Sequence, residues 1–84
     1  MLFRSLISGA FPADALAQRL ELELPDDREY ATAAGYVLSV LKRLPKEGEY
    51  FTDQGWRFEI VDMDGLKIDK LLVCELAKEE PAQE

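Results

Sequence analysis

The stretch from Thr32 to Gly48, TAAGYVLSVLKRLPKEG, constrains the fold more than any other part of the sequence. On a helical wheel Ala33, Ala34, Tyr36, Val37, Leu38, Val40, Leu41 and Leu44 share one broad arc, and Thr32, Gly35, Ser39, Lys42 and Arg43 fill the rest. A period of roughly 3.6 residues separates the two sets in this way when a helix lays one side on a core. The arc is wide enough to pack on a sheet and touch a second helix. Pro45 is expected to end the helix, because it lacks an amide hydrogen and disfavours the α conformation at Leu44. Lys42 and Arg43 then fall in the last turn, where the carbonyl end of the helix dipole favours cations. Glycine at position 35 costs ~0.5–1 kcal/mol relative to alanine in mid-helix. That points either to an exposed face indifferent to it or to a segment packed close against the backbone.

The remaining segments supply a sheet and a smaller helix. Leu2 to Ile7 alternates and reads as a strand, and a chain opening directly on a strand is expected to come from a longer protein. Gly9 ends that strand. Pro12 suits the first turn of a helix over Ala13 to Leu20, with Asp14 near its positive end and Ala13, Leu16, Ala17 and Leu20 on one face. Pro25-Asp26-Asp27 is loop. Glu49 to Thr52 reads as a short strand and Asp53-Gln54-Gly55 as a tight turn. Trp56 to Val61 alternates as a half-buried strand, completing a hairpin. Val61 and Met63 carry apolar character to the other face, so a bulge or strong twist is expected near Ile60 to Asp62. After Asp64-Gly65, the longest strand candidate runs from Leu66 to Leu76. Leu66, Ile68, Leu72, Cys74 and Leu76 share one register there, with Leu71 and Val73 opposite, so its second half is expected to be covered on both sides. The order is β-α-α-β-β-β, an α+β fold with two helices on one face of a mostly antiparallel sheet. Residues 1–77 form the domain, and 78–84 are expected to be a disordered tail.

Composition narrows the function. Eighty-four residues make one small domain, and a formal net charge of −7 disfavours nucleic acid and anionic membrane surfaces. The sequence contains no histidine, which removes the commonest general base and metal ligand. Its single cysteine, Cys74, excludes an intrachain disulfide, fits a reducing compartment, and lies in an apolar register that reads as a core thiol. No apolar run approaches the ~20 residues that span a bilayer.

The acids Glu59, Asp62, Asp64 and Asp69 are the candidates for chemistry, and Asp62 and Asp64 the weak candidates for a metal. Hard divalent cations want clustered oxygen ligands. The run does not match a calcium loop, however, because Gly65 follows Asp64 directly and no glutamate closes it. Asp before Gly is also what a plain hairpin turn favours. The start of the main helix is a conceivable phosphate cradle, but Asp26, Asp27 and Glu29 precede it and no glycine-rich loop does. The aromatics Tyr30, Tyr36, Tyr50, Phe51, Trp56 and Phe58 read mostly as core, and Trp56→Ala is expected to cost ~3–5 kcal/mol. Tyr50 and Phe51 are adjacent, so one of them points away from the core toward a protein partner.

Taken together, Asp27 to Val73 resembles the CorC/HlyC transporter-associated domain. Tyr30-Ala31-Thr32-Ala33-Ala34-Gly35-Tyr36-Val37-Leu38 is similar to that family's helix opening. Leu44-Pro45-Lys46-Glu47-Gly48-Glu49 is similar to its proline-glycine turn, and Gly55-Trp56-Arg57-Phe58-Glu59-Ile60-Val61 to its "glycine, aromatic, x, Phe, Glu, aliphatic, Val" strand. Asp62 to Ile68, the ending Leu71-Leu72-Val73, and the connector Leu22-Glu23-Leu24-Pro25 match in type and order. The resemblance implies a fold related to a flavin-binding domain, with no catalytic residues and no cofactor. It also implies a place at the cytoplasmic C-terminus of a membrane protein, after a transmembrane domain and a CBS pair. Such proteins are magnesium and cobalt efflux transporters, haemolysin-like proteins or, in some cases, cation–proton antiporters. The implied role is modulation of ion transport through contacts with the rest of the transporter, without nucleic acid or direct membrane insertion, and with a homodimer as a further arrangement. The alternative is a sensor of a divalent cation or adenine nucleotide.

Overall fold

The computed structural model describes residues 4–76. Leu2 and Phe3 of the first expected strand, and the expected tail over 78–84, lie outside the described residues. The elements follow the expected order: β1 (Arg4–Ser8), α1 (Ala13–Leu20), α2 (Ala33–Leu41), β2 (Tyr50–Asp53), β3 (Trp56–Asp64) and β4 (Lys67–Glu75). The four strands make one open sheet in the order β1-β4-β3-β2, each neighbouring pair antiparallel. Leu16 and Leu20 of α1 and Ala33, Tyr36 and Val37 of α2 close over Ile7, Phe58, Ile60, Ile68, Leu71 and Val73 from the strands, forming a single core.

The helices begin where backbone meets backbone. Gly9 donates its N–H to the Asp69 carbonyl (2.8 Å), and its own carbonyl accepts from Ala34 N–H (2.9 Å). Ala33 N–H donates to the Phe11 carbonyl and Ala13 N–H to the Ala31 carbonyl, both at 2.8 Å. A side chain at position 9 has no room, since a Cβ there would lie 1.9 Å from the Ile68 carbonyl oxygen. Gly35 resolves in favour of a packed backbone: a Cβ there would stand 2.5 Å from the Tyr30 Cβ.

The main helix is shorter than its apolar arc. It ends at Leu41, and Lys42 takes the left-handed conformation (φ 59°) with its N–H on the Leu38 carbonyl. Pro45 therefore does not stop it. The chain turns earlier, where Arg43 forks onto the Glu49 carboxylate and Lys46 N–H donates to Glu49 Oε1 (3.0 Å). No basic residue falls in the last helical turn, and Leu38, Val40 and Leu44 reach the surface at 37%, 37% and 43% exposure.

The bulge lies where alternation breaks. Ile60 faces Leu71, Asp62 faces Lys70 and Met63 faces Ile68, with register shifts on both sides of Asp62. Each strand thus contributes one extra residue, and the core side of β4 passes from Ile68 to Leu71 and Val73. This corrects the register expected for Leu66 to Leu76, because counting by twos cannot see an inserted residue that flips the faces. Leu66 sits at the turn, 78% exposed, and Leu72 and Cys74 lie on the outer face. The expected second cover over β4 is also absent among the described residues, since Leu6, the outer-face neighbour of Leu72, is 58% exposed.

Trp56 is half-buried at the core margin, its indole N–H on the Leu20 carbonyl (3.0 Å). The full aromatic burial belongs instead to Phe58, between Phe51 and Tyr36 at ring distances of 5.1 and 5.4 Å. Phe58→Ala is expected to cost ~3–5 kcal/mol and Trp56→Ala ~2 kcal/mol, read from urea midpoints. Gly9→Ala, forced against a carbonyl, is expected to cost ~3 kcal/mol by the same measurement, and a loss under ~0.5 kcal/mol refutes the close approach.

Candidate functional site

The start of α2 offers no free anion cradle. Its first N–H groups, those of Ala33 and Ala34, already serve the Phe11 and Gly9 carbonyls, and Gly35 N–H donates to Thr32 Oγ1 (3.2 Å). A phosphate there would have to displace bonds that hold the helices to the sheet.

One polar chain links the helix layer to the β2–β3 hairpin. The buried Tyr36 hydroxyl donates to the Asp53 carboxylate at the end of β2. The side chain of Gln54 in the turn then grips the connector, accepting from Glu23 N–H (2.8 Å) and donating to the Glu23 carbonyl (3.2 Å) and to Asp53 (3.3 Å). Burial, and then the hydrogen bond and charge of Asp53, push the Tyr36 phenol far above its ordinary range. The sequence marks Gln54 only as a turn residue. A side-chain amide that mimics a strand partner leaves no periodic trace.

Of the acids proposed for chemistry, Asp62 and Asp69 come together, while Glu59 and Asp64 stand apart from them. Glu59 pairs with Arg57 (2.9 Å) on the outer face. Asp62 stands across from Lys70 near Asp69, and Asp64 across from Lys67 at the strand end. Lys70 Nζ lies 2.8 Å from Asp69 and 4.0 Å from Asp62, so a side-chain cation already occupies the space between them. The Asp62 carboxyl is pushed up, first by a hydrogen bond with Asp69 and then by desolvation, while Lys70 first of all holds Asp69 down. Among the described residues no three acidic or cysteine side chains group as a metal site.

The feature with the greatest reach is the outer face of the sheet. Two complete rows cross all four strands: Leu6, Leu72, Glu59 and Tyr50 in one, and Arg4, Cys74, Arg57 and Thr52 in the next. Arg57 lies over the Tyr50 ring at 4.0 Å while bonded to Glu59. Tyr50 is 57% exposed and Phe51 turns inward onto Phe58, which settles which of the two aromatics faces out. Cys74, read from sequence as a core thiol, stands half-buried in the second row. The face was hidden from sequence because its two leucines belong to strands far apart in the chain.

A four-stranded antiparallel sheet backed by two helices, with apolar surface on the side left uncovered by the described residues, defines a small α+β domain. The chain belongs to the CorC/HlyC family: the profile described as "Transporter associated domain" matches residues 4–76. It is 35% identical over 82 residues to a UPF0053 protein of Synechocystis, covering 94% of this chain and 18% of that protein. It is likewise 35% identical over 72 residues to the polyamine export protein of Escherichia coli K12, covering 84% of this chain and 16% of the relative. The chain thus spans about a sixth of these relatives' lengths. Among solved structures, the CorC_HlyC domain of a Xylella fastidiosa hemolysin, in complex with Mg²⁺ and Mn²⁺, is 44% identical with a TM-score of 0.77, covering 88% of this chain and 89% of that one. A CorC_HlyC domain from Haemophilus ducreyi superposes with a TM-score of 0.79 at 29% identity, covering 92% of each chain. Among the described residues no helix is long and apolar enough to cross a membrane.

The Tyr36–Asp53 bond gives alkaline stability a definite sign. A phenol whose folded pKa is raised contributes stability that is full below its unfolded pKa of ~10 and is lost as pH rises beyond it. Between pH ~10 and ~12 the wild type is expected to lose ~1.4 kcal/mol per pH unit more than Tyr36→Phe. At pH 7 the variant is expected to be ~1 kcal/mol less stable. Parallel alkaline slopes in urea titrations would remove Tyr36 from this role.

Proposed function

We propose that this chain is the cytoplasmic accessory domain of a CorC-like transporter, acting on cation efflux through protein contacts rather than through chemistry of its own. The observation that carries this reading is the exposed outer face of the sheet, on a chain that spans only about a sixth of relatives that include polyamine export proteins. A domain shifts a transporter's equilibrium only by contacting two of its states unequally, and exposed apolar and charged side chains are what it has to do so with. The transported substrate is a small multivalent cation, magnesium or cobalt by family resemblance, or a polyamine by the relatives' names. Deleting residues 1–84 from the parent protein is expected to change the rate or regulation of efflux and leave membrane insertion intact. Unchanged efflux refutes the reading.

A second reading, divalent-cation sensing, is favoured by the Mg²⁺ and Mn²⁺ in the Xylella relative. Calorimetry with Mg²⁺, Mn²⁺, Co²⁺ and ATP separates the two. The accessory reading expects no micromolar binding, and the sensing reading expects cation binding that Asp62→Asn or Asp64→Asn abolishes.

A further inference from the structure

The outer face has a symmetry of its own. Its two rows differ by two residues along each strand, so a two-fold axis running across the strands between them lays each row over the other. Glu59 then meets the partner's Arg57, Leu72 meets the partner's Cys74, Tyr50 meets the partner's Thr52, and Leu6 lies on the aliphatic stem of the partner's Arg4. An axis parallel to the strands instead sets Leu72 on Glu59 and Cys74 on Arg57, burying charge against apolar groups. Only the first arrangement sets Glu59 against the opposite charge of Arg57 and Leu72 against the thiol of Cys74.

We propose that this face docks a second copy of the chain, β4 over β4, about that crosswise axis. The inference goes beyond the accessory role and does not depend on it. Three observations support it. Leu6 and Tyr50 are 58% and 57% exposed although they end the same row. Arg57 is held flat over Tyr50 and tied to Glu59, so its guanidinium is in place before a partner arrives and little side-chain freedom is lost on docking. The charges on the two rows are self-complementary, so the chain's net charge of −7 is not concentrated at the contact.

The extent of the face sets the strength. Four strands at ~4.8 Å spacing and five residues at ~3.4 Å give a footprint of roughly 19 by 17 Å, or ~320 Å² per copy. A standard interface buries ~800 Å² per partner, so the dimer belongs to the small, weak class and forms only at high protein concentration. The axis also fixes a distance. The two copies of Cys74 are displaced by ~6.8 Å along the strands and ~10 Å between the sheets, so their Cα atoms stand ~12 Å apart. That exceeds the ~7 Å limit for a disulfide, yet lies within reach of a short bis-maleimide.

The test uses the 84-residue chain. Sedimentation equilibrium up to millimolar concentration is expected to show a monomer–dimer equilibrium. Arg57→Glu and Leu72→Lys should each weaken it at least tenfold, and the double reversal Arg57→Glu/Glu59→Arg should restore it. Bis-maleimide is expected to join the native chain through Cys74 into a dimer, and to do so neither in urea nor in Arg57→Glu, while air oxidation gives no disulfide dimer. If Leu72→Lys fails to fold by circular dichroism, the single and double charge reversals decide. A chain monomeric at millimolar concentration overturns the proposal. So does a dimer indifferent to Arg57→Glu, or one that bis-maleimide does not join.

Discussion

The architecture depends on the contact between Gly9 and β4. Because position 9 carries no side chain, its backbone lies against Ile68 and bonds to Asp69, and its carbonyl is left aimed at the first turn of α2. From that point the segments at residues 9–13 and 31–34 run side by side, exchanging bonds through Phe11, Ala13, Ala31 and Ala33. Gly9, Ala13 and Ala33 are all buried, where an amide left without a partner costs ~1–3 kcal/mol. Small residues let the segments approach, and the approach satisfies groups that side chains would otherwise have to cap. The start of each helix is therefore held by main-chain bonds as well as by its core side chains. That is economical for a chain with no disulfide to hold it.

Much of this fold was legible in the sequence, and the failures share a cause. Element order, the extent of α1, the hairpin at Gln54-Gly55 and the bulge near Asp62 all follow from local pattern, because each is set by residues adjacent in the chain. Three features are set by contacts that periodicity does not record. α2 ends where Lys42 turns left-handed with its N–H on the Leu38 carbonyl, just ahead of the clasp of Glu49 on Arg43 and Lys46, so the chain has left the helix before it reaches Pro45. The faces of β4 depend on a second inserted residue, which pairing with β3 reveals and periodicity does not. The link from Tyr36 through Asp53 and Gln54 to Glu23 joins three elements, and no spacing rule relates its members. The candidate site was less legible than the fold. Acids were visible and invited a chemical reading, whereas the outer face is assembled from single residues of four strands.

The two sides of the sheet divide the work. The inner side takes Phe51 and Phe58 and, with Tyr36 from α2, forms the aromatic centre of the core. The outer side mixes leucine, tyrosine, cysteine and paired charges, a composition that tolerates water yet gains from being covered. The exposed Leu38, Val40 and Leu44 around the end of α2 lie on the helix side of the domain. Among the described residues the domain thus has two distinct apolar surfaces, one on the outer face of the sheet and one around the end of α2.

The register of β1 has a mechanical consequence. Arg4, at the start of the first strand, pairs directly with Cys74, near the end of the last. Tension entering at one of these points and leaving at the other is applied across the ladder, not along it. Under such a load β1 peels from β4 one bond at a time, the Arg4 end first and the Gly9 contact last. The fold would yield gradually from one edge while the β2–β3–β4 meander stayed intact, which makes that edge the compliant side of the domain and the hairpin its stiff one.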